Sequence, residues 1–281
     1  MNEAVEQRTV KKLFAKLIPI LGILYFVAFL DRANISIAAL TMNKDLGISA
    51  AAYGMGAGIF FIGYFIFEIP SNIILAKVGA RRWITRILVT WGIISTCFMF
   101  VQNETQMLVL RFFLGVAEAG FYPGVIYYIS TWFPVNQRAR ATASFHCALP
   151  VAVAVGNVLG GLFLQLDGIA GLRGWQWLFL CEGIPSVLLG YVSWKYLLDS
   201  PKDATWLADD EKEWLMKELA SAETVKKAQV SIKEVFAKPA VWLYSLYYLI
   251  MNIGFYGITF FLPQIVKKLS GSNPTLSSLY S

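Results

Sequence analysis

The sequence is dominated by uninterrupted apolar blocks of about twenty residues, the length that an α-helix needs to cross a hydrocarbon core of roughly 30 Å. Seven blocks can be delimited, at about residues 13–40, 54–78, 83–101, 107–133, 141–166, 175–198 and 241–266. Hydrophobic residues make up 57% of the 281-residue chain and charged residues only 15%. A soluble domain normally carries about a quarter charged residues. The pattern therefore predicts an all-α membrane protein.

Basic residues are concentrated in alternate connections between the blocks. The basic segments are the N-terminus, the connection after the second block and the connection after the fourth, with Arg8, Lys11, Lys12, Lys16, Lys77, Arg81, Arg82, Arg86, Arg138 and Arg140. Because basic loops stay on the cytoplasmic side, the N-terminus is predicted to be cytoplasmic, although Lys267 and Lys268 break the pattern. The net charge of +6 is then a topology signal, and nucleic acid is not a predicted partner.

Three regions are predicted along the chain. They are a six-helix transmembrane domain at 1–198, a charged cytoplasmic linker at 199–239, and at 240–281 the first helix of a second half with an outside loop. The linker is marked by an abrupt rise in charge, as in the acidic run at 209–213. The polar end of the chain, 270–281, offers nothing that would close a helical bundle, which predicts a sequence cut off from a longer fold.

Five of the polar or ionisable side chains inside the predicted spans lie at comparable depth, where a charge costs at least about 2.5–3.5 kcal/mol. Asp31 and Arg32 lie roughly 12–14 Å from the outer end of the first span. Arg111 and Glu118, in the fourth span, are roughly 6 and 17 Å deep, and their spacing of two helical turns puts both on one side. Tyr64 is roughly 15 Å deep in the second span. The five side chains are predicted to share one polar chamber.

Two interpretations of this chamber follow from the residue types. Arginine presents a fixed fork of donors that suits a carboxylate, and a partly buried acid can take up a proton reversibly, so the group could bind an anion together with H⁺. Alternatively, Asp31 with Arg111 or Glu118 with Arg32 could be static ion pairs that lock the bundle. The functional interpretation is favoured because ionisable groups inside membranes usually serve function.

Other classes of protein fit the sequence less well. An enzyme is not predicted, because the chain has a single histidine and no nucleophile–base pair or metal-ligand cluster, and no catalytic residue, metal or cofactor is assigned. A seven-helix receptor would have the helix count but not the predicted cytoplasmic N-terminus. A non-transporting regulatory or degenerate fragment remains a further alternative.

Motifs spread along the whole chain carry a family resemblance. They are LDRAN at 30–34, IPSN at 69–72, KVGARRW at 77–83, RFFLGVAEAGFYPG at 111–124, GWQWLF at 174–179 and DSP at 199–201. In these motifs the chain resembles the major facilitator superfamily, and within it the anion:cation symporter family of bacterial permeases for tartrate, 4-hydroxyphenylacetate, phthalate and galactonate.

The resemblance implies a twelve-helix fold of two six-helix halves, each built from two inverted three-helix repeats. This chain would contain the first half and the seventh helix. A small organic anion would be taken up with H⁺ across the bacterial inner membrane, by a protein that is a monomer in its full-length form. Residues 1–281 alone are expected not to transport. The identity of the organic acid and the choice between H⁺ and Na⁺ stay open.

The resemblance also implies roles for individual residues. Arg32 would contact the substrate carboxylate, with Tyr64 and Arg111 completing the polar network of the binding site. Asp31 and Glu118 would carry the coupled proton. The gating loop between the second and third helices would be held by Lys77, Gly79, Arg81 and Arg82.

Overall fold

The computed structural model describes residues 3–226 and 236–270, and within those ranges every regular element is helical. The helices are α1 (Glu3–Asp45), α2 (Ala50–Val78), α3 (Ala80–Cys97), α4 (Glu104–Glu118), α5 (Phe121–Trp132), α6 (Val135–His146), α7 (Ala148–Leu164), α8 (Gly174–Tyr196), α9 (Asp209–Lys226) and α10 (Pro239–Ser270). The prediction of an all-α protein is confirmed. Part of the predicted linker, 227–235, and the polar end at 271–281 lie outside the described residues.

Within the described ranges, seven stretches of helix are long and apolar enough to cross a membrane. Helices α1, α2, α8 and α10 each form one stretch, α3 forms one with the turn that follows it, and α4–α5 and α6–α7 form the other two. The seven predicted blocks therefore correspond to the seven stretches. The largest difference in bounds is at α1, which begins at Glu3 and not near residue 13, because its first turns pack against α9.

The fourth span is broken between α4 and α5, although the apolar pattern predicts one continuous helix over 107–133. Gly120 has φ +87°, a left-handed conformation that glycine adopts without steric cost. A Cβ at this position would lie only 2.3 Å from the Ser71 hydroxyl oxygen. That hydroxyl donates a 2.7 Å hydrogen bond to the carbonyl of Ala119, a group that the break leaves without a helical partner. Glu118 is consequently the last residue of α4, at a break inside the span.

Glycines let the spans approach each other to backbone distance. A Cβ at Gly115 of α4 would lie 2.0 Å from the carbonyl oxygen of Phe60 in α2. A Cβ at Gly92 of α3 would lie 2.8 Å from the carbonyl oxygen of Gly183 in α8. Small residues at helix interfaces allow this approach in membranes, where packing and hydrogen bonds drive association. The pair α2–α4 thereby fixes the two helices that carry Tyr64, Arg111 and Glu118.

The segment after α8 packs along α5. The indole of Trp132 donates a 3.2 Å hydrogen bond to the carbonyl of Leu198 and stacks on Trp206 with ring centroids 5.9 Å apart. The amide of Leu198 donates to the Tyr128 hydroxyl at 3.3 Å. These contacts hold the beginning of the predicted linker against the helical bundle.

Helix α9 is attached to the first turns of α1 through a buried carboxylate. Glu211 is fully buried and accepts hydrogen bonds of 2.7 Å from both Arg8 and Lys12, and one of 2.8 Å from the amide of Ala208. Burial by itself would raise the pKa of Glu211, but these hydrogen bonds outweigh burial and hold the pKa below its ordinary value. The contact is therefore strongest with Glu211 ionised.

Neutralising Glu211 is expected to release α9 from α1. Because folding lowers its pKa, the stabilisation is complete above the ordinary carboxylate pKa of about 4.3 and is lost as the pH falls through the folded-state value. Glu211→Gln at neutral pH should have the same effect as acid. Hydrogen bonds to charged groups contribute about 1.5–3 kcal/mol, so tryptic cleavage at Lys217 should accelerate at least about tenfold.

Glu213 on the same helix provides the matched control, because its side chain is exposed. Glu213→Gln should leave the cleavage rate at Lys217 unchanged. Equal acceleration in the two variants would mean that general loss of negative charge, and not the buried contact of Glu211, controls the attachment of α9.

Candidate functional site

The centre of the candidate site is an ion pair between α1 and α4. The guanidinium group of Arg32 donates from Nη2 to the carboxylate of Glu118, which is only 1% exposed. Glu118 lies at the end of α4 because the chain breaks at Gly120, two residues after it. The two residues that the sequence places at similar depth are thus in direct contact.

Aromatic rings surround the guanidinium group of Arg32. Its Cζ lies 5.6 Å from the ring centroid of Phe60, 5.4 Å from that of Tyr64 and 6.0 Å from that of Tyr256. The hydroxyl of Tyr256, on α10, accepts a 2.7 Å hydrogen bond from Nη1. A cation is attracted to such ring faces, so three aromatic side chains hold the guanidinium group in a fixed orientation. Its Nε atom is buried with no hydrogen-bond partner among the described residues.

Arg111 approaches the same aromatic ring from the other helix. Its Cζ lies 4.8 Å from the ring centroid of Phe60, and its Nε donates a 3.1 Å hydrogen bond to the carbonyl of Gly56. The side chain is 1% exposed, and its Nη2 has no hydrogen-bond partner within the described ranges. Two arginines next to one ring therefore each retain an unused N–H donor, which is the feature that an incoming carboxylate requires.

Asp31 lies on a different side of α1 from Arg32. It is 1% exposed and accepts hydrogen bonds from the indole of Trp91 and the hydroxyl of Ser95, both on α3. A third donor is the amide of Asn34, at 2.9 Å. No basic group among the described side chains forms an ion pair with Asp31, so the alternative of an Asp31–Arg111 pair is wrong.

The direct contacts divide the five predicted side chains into two adjoining groups. Arg32, Glu118 and Tyr64 lie together, with Arg111 beside the same Phe60 ring. Asp31 makes its hydrogen bonds with other residues, but the charges of Glu118 and Arg111 still act on it. Because consecutive residues on an α-helix point about 100° apart, Asp31 and Arg32 have different direct partners.

The predicted gating loop is held by an acid that follows α8. The carboxylate of Asp199 accepts a 2.9 Å hydrogen bond from the amide of Arg81. Arg81 also donates to the carbonyl of Trp194 at 2.7 Å and lies over that indole ring. Gly79 has φ +93°, and a Cβ there would lie 2.7 Å from Asp199. Lys77 and Arg82 are exposed at the surface of the loop.

A cavity of about 210 Å³ lies between α1, α7, α8 and α10. Its lining includes Ala33, Asn157, Glu182 and Thr259. Arg32 does not line it, because Ala33 and Leu30 occupy the neighbouring face of α1. Within the described part of the chain, no cluster of three or more His, Cys, Asp or Glu side chains could hold a metal ion.

Several residues of the site are missed by the sequence analysis. Tyr256 belongs to the seventh span, and its position between two glycines at 254 and 257 is the only sequence signal for it. Trp91 and Ser95 are four residues apart and so share a helix face, but neither is ionisable. Asp199 is visible only as the first residue of a turn motif. Each of these partners is set by tertiary contact and not by a local pattern.

Comparison with known proteins identifies relatives along nearly the whole chain. The family model described as Major Facilitator Superfamily matches residues 21–281. A protein named "Putative tartrate transporter" from Agrobacterium vitis is 48% identical over 274 residues, which is 97% of this chain and 63% of that protein. A "Quinolone resistance transporter" from Acinetobacter baumannii is 44% identical over 270 residues, 95% of this chain and 62% of that protein. The chain therefore spans less than two thirds of the length of these relatives.

Solved structures agree on the fold. A bacterial homologue of the human lysosomal transporter Spinster, in an inward-facing and occupied conformation, matches with a TM-score of 0.76 and 19% sequence identity. The match covers 95% of this chain and 57% of that one. Together with seven membrane-length helices, these similarities identify a multi-pass membrane protein of a transporter family, which is not a family of enzymes. The chain belongs to the Major Facilitator Superfamily.

Proposed function

We propose that this chain binds a small organic carboxylate at Arg32 and couples that binding to the uptake of H⁺, as the anion-binding half of a symporter. The buried ion pair between Arg32 and Glu118 is the observation that carries this proposal. An incoming carboxylate and Glu118 compete for the same guanidinium group.

The competition provides a physical reason for coupling. When the anion occupies Arg32, an ionised Glu118 loses its counter-charge while it remains buried, and such a charge is costly. Protonation of Glu118 removes that cost. The anion-bound state therefore holds more protons than the empty state, and the affinity for the anion rises as the pH falls.

The unused donors of the site support a carboxylate as ligand. Arg32 Nε and Arg111 Nη2 are both buried without partners among the described residues, and both guanidinium groups lie next to the ring of Phe60. A ligand with one carboxylate at each end, such as a dicarboxylate, suits two arginines of this kind better than a neutral sugar. The name of the Agrobacterium vitis relative, which mentions tartrate, makes tartrate the first candidate to test.

The remaining roles are proposed on the same basis. Asp31, with three donors around its ionised form, is proposed as a second proton-carrying group, and the loop at Lys77, Gly79, Arg81 and Arg82 as a gate fastened through Asp199. The basic loops support a cytoplasmic N-terminus and a cytoplasmic linker between a six-helix domain and the helix α10. Only the binding step is proposed for residues 1–281, because the relatives are substantially longer.

Binding of tartrate to the purified chain tests the proposal directly. We expect tartrate to raise the thermal unfolding temperature in detergent, and to raise it more at about pH 5.5 than at about pH 8. In a weakly buffered solution with an indicator dye, binding should take up on the order of one proton per anion.

Threitol is the matched control ligand, because it has the carbon skeleton of tartrate without the carboxylates. Threitol should leave the unfolding temperature unchanged at both pH values. Proton release on tartrate binding, or stronger stabilisation at the higher pH, would contradict the proposed competition between the anion and Glu118.

A further inference from the structure

Glu182 of α8 is a buried acid that the proposed binding step does not use. The residue is 4% exposed, and its Oε2 atom has no hydrogen-bond partner among the described residues. It lines the cavity between α1, α7, α8 and α10, whose other polar lining residues are Ser36, Asn157 and Thr259. A buried acceptor without a donor is rare and requires an explanation.

A second buried acceptor without a donor lies next to it. Asn34 uses its Nδ2 atom to donate to Asp31, and its Oδ1 atom is buried without a partner in the part of the chain that the structure describes. The Asn34 amide is close enough to Glu182 to donate to its ionised form, although no N–H among the described residues reaches the Oε2 atom. Two acceptors cannot satisfy each other, but a proton on Glu182 turns one of them into a donor. An O–H group at Oε2 can then donate to Asn34 Oδ1, and both atoms are satisfied.

We infer that Glu182 is protonated in this structure. We also infer that Asp31, Asn34 and Glu182 form a unit within which one proton can move between the buried Asp31 and Glu182 at the cavity. The inference rests on the proposed function in one respect: it takes Asp31 to be a proton-carrying group, as proposed above, and adds the path by which the proton reaches it.

The charges around the unit support this distribution of the proton. Asp31 accepts three hydrogen bonds, which favour its ionised form, whereas no described donor reaches Glu182 Oε2. The polar groups around Glu182 are Asp31, Asn34 and Ser36 on α1, Thr96 on α3 through the adjacent Gly183, Asn157 on α7, Thr259 on α10 and Cys181 on its own helix. None of them carries a positive charge.

The transfer of the proton is balanced within the unit. When the proton moves from Glu182 to Asp31, the negative charge moves the opposite way, and no further reactant is needed. A rotation of the Asn34 amide then lets Oδ1 accept from the protonated Asp31 while Nδ2 donates to the ionised Glu182. Asp31 is enclosed by α3 and has no surface of its own, so Glu182 is the member of the unit that meets the cavity.

Infrared spectroscopy of the purified chain without any ligand tests the inference. The C=O stretch of a protonated carboxyl group absorbs separately from the bands of an ionised carboxylate. We expect Glu182→Gln to remove a protonated-carboxyl band at neutral pH. Asn34→Ala should shift that band to higher frequency, because it removes the acceptor of the O–H group while Glu182 remains in place.

Glu118→Gln is the matched control, since it makes the same change at a buried acid that is paired with Arg32. It should remove an ionised-carboxylate band and leave the protonated band of Glu182 intact. Loss of an ionised band in Glu182→Gln, or an unshifted band in Asn34→Ala, overturns the inference. Because no anion is present, failure of tartrate binding would leave these results unaffected, and the two proposals fail separately.

Discussion

Replacing Gly115 by alanine is expected to lower the stability of the helical bundle by about 3 kcal/mol, the upper range for forcing an extra methyl group into a packed interior. The added Cβ would lie 2.0 Å from the carbonyl oxygen of Phe60 and 3.0 Å from the amide nitrogen of Tyr64. Both atoms belong to the backbone of α2, so no side-chain rotation can relieve the collision. Helices α2 and α4 would have to separate, and Glu118 and Arg111 would move away from Arg32 and Phe60.

Gly58→Ala on α2 is the matched control for this substitution. Gly58 is also within a helix, but nothing lies within 4 Å of the Cβ position. Alanine is favoured over glycine in helices by about 1 kcal/mol, so this variant should be as stable as the unmodified chain or slightly more stable. Thermal unfolding in detergent compares the two. Equal stability of Gly115→Ala and Gly58→Ala would contradict the close approach of α2 and α4.

The spans and the depth of the charged residues could be predicted because they follow from local properties of the sequence. Apolar length decides where a helix crosses a membrane, and the cost of a charge in lipid decides that Arg32 and Glu118 must face partners. The rise per residue then places the two at similar depth. These arguments need no tertiary information, and the contact between Arg32 and Glu118 agrees with them.

Direction around the helix could not be predicted in the same way. Asp31 and Arg32 have nearly the same depth, yet one contacts Trp91 on α3 and the other contacts Glu118 on α4. Depth is a property of one helix, whereas the identity of the partners depends on the rotation of each helix against its neighbours. The break at Gly120 was unpredictable for a related reason, because the Ser71 hydroxyl that satisfies the freed carbonyl comes from another helix.

The separation of Asp31 from Arg32 gives the two acids different physical situations. In the proposed binding step, Glu118 would exchange its counter-charge with the ligand, which would tie its protonation to occupancy of the site. Asp31 is stabilised by neutral donors and makes no hydrogen bond with Arg32 or Glu118 in the described part of the chain, although the charge of Glu118 still acts on it. Under the two proposals, one proton would be loaded with the anion at Glu118 and one from the cavity through Glu182.

Replacing Arg32 by glutamine is expected to abolish the stabilisation by tartrate and by every other organic acid tested. Glutamine removes the charge and the fork of donors that recognise a carboxylate. The loss of one partner of a buried charged pair costs about 2–5 kcal/mol, which corresponds to at least a thirtyfold loss of affinity. The same substitution leaves Glu118 buried without its counter-charge, so the variant is also expected to unfold at a lower temperature.

A double variant separates loss of binding from loss of folding. Arg32→Gln combined with Glu118→Gln removes both charges of the pair, so the unfolding temperature should recover while tartrate still fails to raise it. Arg82→Gln, on the exposed surface of the loop between α2 and α3, removes a positive charge that has no contact with the buried pair among the described residues and should bind tartrate like the unmodified chain. Binding of tartrate to the double variant would mean that the carboxylate is not held at Arg32. Loss of binding in Arg82→Gln as complete as in Arg32→Gln would mean the same. In either case, competition with Glu118 could not be the source of coupling.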